Sequence, residues 1–282
     1  MLLSKISPTA KLIAYLRSFS DIPFSKEISG VCEAEKVFKE ITGDLGDQIL
    51  HVAPRVEARY KSVDVLLRRS GCRRILELAS GLSPRGFVWS EDRSITYIIS
   101  DLLGMLEEHE NMSETIAQYI FHRSNLFWVP IDAINKWQVT SVERITSRGP
   151  IAVVHEGLLP YFSHEEKRLV AENIRILLQK HGGVWIMPDI TSREQLQVLS
   201  DPAMLKVREI ISGLTERDIT QNAFATFREG ENFFEDLGFT VTSYNQGDIV
   251  DQPLSSVAAT NSDPVQIAKS LEVSKIWELR LK

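Results

Sequence analysis

The stretch ILELASGLSPRG (Ile75–Gly86) decides how the chain is to be read, because an apolar run ending in an acid passes into a turn with one glycine and a proline. Such a run is a buried strand, and the first strand-to-helix turn of an open α/β sheet is where a nucleotide-like ligand meets the protein. The turn is poor in glycine. A dinucleotide fingerprint, G-x-G-x-x-G, brings a pyrophosphate against backbone N–H groups at a helix N-terminus, but the matching positions here are Ala79, Gly81 and Pro84. An NAD-dependent oxidoreductase is therefore poorly supported.

Working outward, β-rich runs alternate with helical patterns from about residue 73 onward, which predicts a parallel sheet flanked by helices. Strands are expected near Arg74–Leu78, Ile95–Ser100, Leu126–Pro130, Ile151–His155 and Val184–Pro188. The clearest helix is SHEEKRLVAENIRILLQKHGG: Ser163 reads as its N-cap with Glu166 three residues on, and Gly182–Gly183 closes it. After a polar, helix-prone insertion at about 191–225, the helical REGENFFEDLG leads to the strand FTVTSYNQ, and the chain ends in KIWELRLK. Little room is left for a crossover helix before that last strand, so it is expected to run antiparallel. The first seventy residues differ: SPTAKLIAYLRSF and VEARYKSVDVLLRRSG carry apolar residues at helical spacing. The expected architecture is thus α/β, a doubly wound Rossmann-like sheet with an antiparallel last strand. Residues 1–70 form an N-terminal helical lid, and 71–282 form the ligand-binding domain with its insertion.

A second turn template, E-x-G-x-G-x-G, belongs to class I methyltransferases that bind S-adenosylmethionine. It fits better at its acidic start, with Glu77, Ala79, Gly81 and Ser83 at the matching positions. S-adenosylmethionine carries no phosphate, so its turn needs close backbone approach at fewer points. Asp101 follows the next strand at the distance where an acid accepts hydrogen bonds from ribose hydroxyls. Taken alone, Gly81 is equally a tight turn and Asp101 equally the N-cap of LLGMLEEH. Together, on consecutive strand ends, they favour a ligand.

Four stretches in order, VEARYKSVDVLL, LELASGLSPRGF, VPIDAINKW and HEGLLPYFSHEE, resemble the leucine carboxyl methyltransferase family, which includes tetracenomycin-type polyketide O-methyltransferases. The resemblance covers most of the chain. It implies S-adenosyl-L-methionine as cofactor, with Arg59 on the carboxylate of its methionine tail, where a guanidinium forks onto two oxygens. By the same likeness Glu77, Ala79 and Gly81 line the turn, Asp101 holds the ribose and Asp132 sits beside the adenine. Glu156 faces the methionine or sulfonium region. The family's turn reads Gly-Ala-Gly-Leu-Asp-Thr-Arg, whereas this chain has Ala79, Ser80, Gly81, Leu82, Ser83, Pro84 and Arg85.

Methyl transfer from a sulfonium is an in-line displacement, so the protein's task is to position an acceptor oxygen and exclude water. A carboxylate acceptor is already anionic at neutral pH, whereas a phenol needs a base. No residue is assigned as catalytic; Tyr161 and Glu156 come nearest to such a role. His155 precedes Glu156 on a strand and is expected to point to the opposite face. Arg17, Arg193 and Arg208 lie in the segments expected to cover the crevice, where most arginines face solvent. The expected activity is O-methylation of a carboxyl or acidic hydroxyl of a small, polyketide-like molecule. Methylation of a protein's C-terminal carboxylate, or a binding protein without turnover, remains open.

Composition narrows the partners. Of 282 residues, 43% are apolar, enough for a substantial core, and a formal charge of −6 without a basic run argues against nucleic acid. Cys32 and Cys72 are too few for a disulfide framework or thiolate metal site, and no metal-ligand spacing is found. MLLSKISPTAKL is too short in its apolar start for a signal peptide, and no apolar run reaches membrane-spanning length. A cytoplasmic protein acting on a small molecule, without metal or membrane, is expected.

Overall fold

A computed structural model, describing residues 3–116, 123–145 and 149–282, places seven strands in one sheet. They are Arg74–Glu77 (β1), Thr96–Asp101 (β2), Leu126–Pro130 (β3), Ile151–Val154 (β4), Gly183–Met187 (β5), Phe239–Asn245 (β6) and Lys275–Leu281 (β7). Their order is β3-β2-β1-β4-β5-β7-β6. The first five strands are parallel. The chain leaves β1 towards β2 and β3 on one side and returns to β4 and β5 on the other, so the switch in strand order lies between β1 and β4.

Both faces of the sheet are covered, which is why β1 and β4 are apolar or buried at every position rather than alternating in polarity. Ile75, Tyr97, Ile99, Val154 and Ile186 pack on one side, and Leu76, Ile98, Val153, Trp185 and Met187 on the other. The expected strands are observed to within a residue or so at each end. The Ser163 cap is also observed: its side chain accepts from the Glu166 N–H while the Glu166 carboxylate accepts from the Ser163 N–H, opening the helix His164–His181. β7 is antiparallel, as expected, and inserts between β5 and β6, pairing with both.

Three further helices shape the region above the strand ends. The N-terminal helix is Leu3–Arg17, and the wall helix is Ala53–Ser70, closed by Gly71 at a left-handed φ of 66°. The insertion helix is Pro202–Thr215, capped by Asp201 and preceded by a short helix at Arg193–Val198. The segment between Thr191 and Phe224 is tied together at its base. Phe224 donates its N–H to Thr191 O at 3.1 Å and accepts from the Arg193 N–H at 2.8 Å, so the excursion begins and ends at one point. Among the described residues, no helix is long and apolar enough to cross a membrane.

Candidate functional site

A cavity of about 450 Å³ opens beyond the carboxyl ends of the parallel strands. That is a size suited to a cofactor or small molecule. The residues proposed from the sequence for the cofactor or for catalysis, Arg59, Glu77, Ala79, Gly81, Asp101, Asp132, Glu156 and Tyr161, all line it. The N-terminal, wall and insertion helices also contribute walls.

The turn after β1 bends twice through left-handed backbone, at Ala79 (φ 48°) and Gly81 (φ 53°). Gly81 meets no steric cost there, whereas the Cβ of Ala79 does. Asp101, at the end of β2, fixes the turn by accepting from the Gly81 N–H and the Leu102 N–H, each at 2.7 Å. Burial pushes the Asp101 carboxyl up to about 6, with those two N–H groups pulling it down. The Ser80 hydroxyl is buried in the same turn without a partner among the described residues. Ala79→Gly is expected to raise stability by about 0.5–1 kcal/mol, the strain relief exceeding glycine's entropy cost. A melting temperature raised by roughly 2 °C would register it; an unchanged or lower one shows that Ala79 sits there without strain.

Beneath the turn lies a network of buried charge centred on Arg85, whose side chain is 0% exposed. Its Nε donates to Asp64 at 2.8 Å and its Nη1 to Glu77 at 2.6 Å, while Nη2 reaches Glu156. Its guanidinium also lies 4.2 Å from the centre of the Tyr60 ring. Glu77 accepts a second bond from the Tyr97 hydroxyl at 2.8 Å, and Asp64 one from the Trp89 indole at 3.2 Å. Glu156 is further held by Arg59 Nε at 3.3 Å. Burial alone would raise the Glu156 carboxyl, but Arg85, Arg59 and Arg17 outweigh it and hold it below the usual carboxylate range. For Glu77 and Asp64 burial wins, and both sit above their ordinary values despite Arg85. Glu77 thus serves mainly to hold Arg85, and Glu156 joins that core to the Arg59 guanidinium in the cavity.

Arg17 is the site residue with the least warning in the sequence. Its N-terminal helix carries it into the cavity wall at 5% exposure, where Nη1 donates to Leu82 O at 3.2 Å and Nε is buried without a partner among the described residues. Arg208 also lines the cavity, whereas Arg193 is exposed. Asp132 accepts from the Ile134 N–H at 3.1 Å, and Asn135, not Asp132, caps the following helix. Burial raises the Tyr161 phenol, Arg59 offsetting it in part, and its hydroxyl is hydrogen-bonded with Thr9 of the N-terminal helix. It is therefore a neutral group at physiological pH. His155 is fully buried outside the cavity lining, as strand alternation requires. Its Nδ1 meets Asp189 at 2.7 Å and its Nε2 accepts from the Trp185 indole at 2.9 Å. Asp189 in turn accepts from the Gly157 and Leu158 N–H groups, each at 2.7 Å, which sets the loop carrying Glu156.

No protein-family model matches the chain, and no curated protein does. Solved structures share its fold. A candidate methyltransferase from Thermobifida fusca YX is 16% identical, with a TM-score of 0.58 over 97% of this chain and 94% of that one. A DUF574 family protein from Streptomyces avermitilis is 14% identical, with a TM-score of 0.52 over 97% of each chain. At these identities the likeness is one of fold. Together with the strand order and the antiparallel β7 between β5 and β6, it gives the chain the Rossmann-like class I methyltransferase fold.

Proposed function

We propose that the protein is an S-adenosylmethionine-dependent O-methyltransferase acting on a carboxylate of a small molecule. The observation that carries this reading is the distribution of charge along one cavity: the guanidiniums of Arg17 and Arg59 on one side and the Asp101 carboxylate at the turn. A ligand with a carboxylate at one end and vicinal hydroxyls further along matches both ends. The Ser80 hydroxyl and Arg17 Nε, unsatisfied among the described residues, are groups that such a ligand's polar tail and sugar would meet or order. In this reading Arg59 and Arg17 hold the methionine carboxylate, Asp101 the ribose, and Asp132 the adenine amine. Glu156 places negative charge near a sulfonium. The bound cofactor supplies an electrophilic methyl group; the chain binds, orients and excludes water.

The acceptor follows from what the cavity lacks. Among the described lining residues there is no histidine, lysine or cysteine, Tyr161 is held neutral, and Glu156 is tied to two arginines. A hydroxyl acceptor would have only carboxylates assigned here to the cofactor or held by arginines to take its proton, whereas a carboxylate acceptor needs no base. Kinship with the leucine carboxyl methyltransferase family is part of the proposal. Its support is that the four resembling stretches meet at one place, contributing Arg59 and Asp64, Glu77 and Arg85, Asp132, and Glu156.

Calorimetric titration with S-adenosylmethionine, S-adenosylhomocysteine and NAD tests the reading, the first two being expected to bind and NAD not. Tight NAD binding without a response to the other two overturns it. Labelled methyl donor incubated with a panel of organic acids should leave base-labile label in an ester; a bound but never transferred methyl would mark a silent binder. Arg59→Ala is expected to weaken S-adenosylhomocysteine by about 10- to 100-fold, the value of a charge-assisted bond to a carboxylate. Unchanged affinity would return Arg59 to a purely structural pairing with Glu156.

A further inference from the structure

Past the turn, the cavity continues between the wall helix and the insertion helix. Val52, Arg55, Val56 and Arg59 line it from one side, a spacing of i, i+3, i+4, i+7 that puts them on one helical face. Met204, Val207, Arg208 and Ile211 of the insertion helix line it with the same spacing. The walls here are aliphatic, yet the wall-helix stripe carries Arg55 and Arg59 and the insertion-helix stripe Arg208.

Arg55 stands one helical turn, about 6 Å, from Arg59 along the wall helix. Its Nη2 meets Asp201, the N-cap of the insertion helix, at 2.9 Å, while its Nε is buried without a partner among the described residues. Arg208 is pinned by Nη1 and Nη2 to the carbonyls of Leu196 and Leu199, at 2.9 and 2.7 Å, bonds that leave its charge uncompensated. Burial lowers the Arg208 guanidinium, Asp201 opposing and Arg55 reinforcing that shift, so the three groups share one field. Two cations thus face a single carboxylate within apolar walls. All three are partly buried, so the excess positive charge is shared with solvent in the open cavity and attracts an anion that can reach both guanidiniums.

We infer that the methyl acceptor is an amphipathic organic acid, its apolar body lying between Val56, Val207 and Ile211 and a non-reacting anionic group meeting Arg55 and Arg208. This rests on the proposed methyltransferase reading only in placing the cofactor at the turn end and the reacting oxygen near it. The acceptor accordingly carries a second acidic group, remote from the carboxylate that becomes the ester.

The test uses the full-length protein, with and without saturating S-adenosylhomocysteine, and the fluorescent apolar anion 8-anilinonaphthalene-1-sulfonate as probe. Saturable binding is expected, displaced by octanoate at least tenfold more effectively than by octanamide, which has the same shape without the charge. Arg208→Gln should abolish that preference. Asp201→Asn keeps a good N-cap and removes the competing carboxylate, so octanoate should bind severalfold more tightly, a gain that a merely structural role for Asp201 does not produce. Equal displacement by acid and amide, or absent probe binding, or a loss of octanoate affinity in Asp201→Asn overturns the inference. Failure of S-adenosylhomocysteine to bind while octanoate retains its preference would instead overturn the proposed function and leave this anion site standing.

Discussion

Arg85→Met is expected to destabilise the protein by about 3–5 kcal/mol, the cost of leaving buried charges without their partner. Three carboxylates, Asp64, Glu77 and Glu156, converge on this one guanidinium. Methionine fills much of the volume and donates nothing. Burial opposes the charge of Arg85, but Glu156, Glu77 and Asp64 together hold it protonated well above its ordinary range. Arg85→Lys is expected to recover less than half of the loss, because one ammonium cannot fork towards three acids. The pH dependence has a definite sign. In wild type, Glu156 is depressed, so it contributes stability above its ordinary pKa that is lost as pH falls through its folded value. Without Arg85, burial raises all three acids, so the folded variant takes up protons and its deficit shrinks as pH falls from 7 towards 5. Urea unfolding at the two pH values measures this. A Met variant of wild-type stability, or a deficit that grows at pH 5, would show that the network does not hold the site together.

Arg85 also marks where the sequence stops being legible. It stood in view within LELASGLSPRGF, matched to the last residue of the family's turn, yet its meaning depends on Glu156, 71 residues away, and on Asp64 in another helix. A cation between Leu82 and Phe87, both buried, was the available signal, since a charge amid apolar residues needs a partner. What was legible is local. The Leu126–Pro130 strand emerges with the boundaries its composition predicts, and the Ser163–Glu166 cap needs only three residues of context. Arg17 shows the opposite case. Its helix reads as an amphipathic cover, and only the docking of that helix over the turn, where Arg17 reaches Leu82 O, distinguishes it from the exposed Arg193. Ala79 was legible as a missing glycine, but its backbone keeps the left-handed bend that a glycine would take. The turn therefore takes a left-handed bend at a position where its residue is not glycine.

Asp101→Asn is expected to weaken S-adenosylhomocysteine by about 100-fold, since two hydroxyl bonds to a carboxylate are each worth roughly 1.5–3 kcal/mol before mutual compensation. The same substitution should leave the unliganded fold within about 1 kcal/mol of wild type, for two effects oppose. Burial raises the Asp101 carboxyl from 3.8 to about 6, so its charge costs the folded state on the order of 2–3 kcal/mol at neutral pH, which asparagine removes. Asparagine also gives up one of the two bonds from Gly81 and Leu102, at about 1–2 kcal/mol. A group held charged at a cost to the fold, and therefore poised for a ligand, differs here from an ordinary turn cap, whose loss would lower stability and affinity together. The pH profile separates the two further. Ribose hydroxyls donate to the ionised form, so binding draws the Asp101 pKa below about 6, and affinity is fully present above that pH and declines as pH falls through it. In Asp101→Asn the decline between pH 7 and 5 should vanish, leaving a weak, flat profile. Calorimetry at half-unit steps reads it directly; a wild-type profile without a break near pH 6, or a variant that melts early while binding normally, would make Asp101 only the cap of the helix that follows β2.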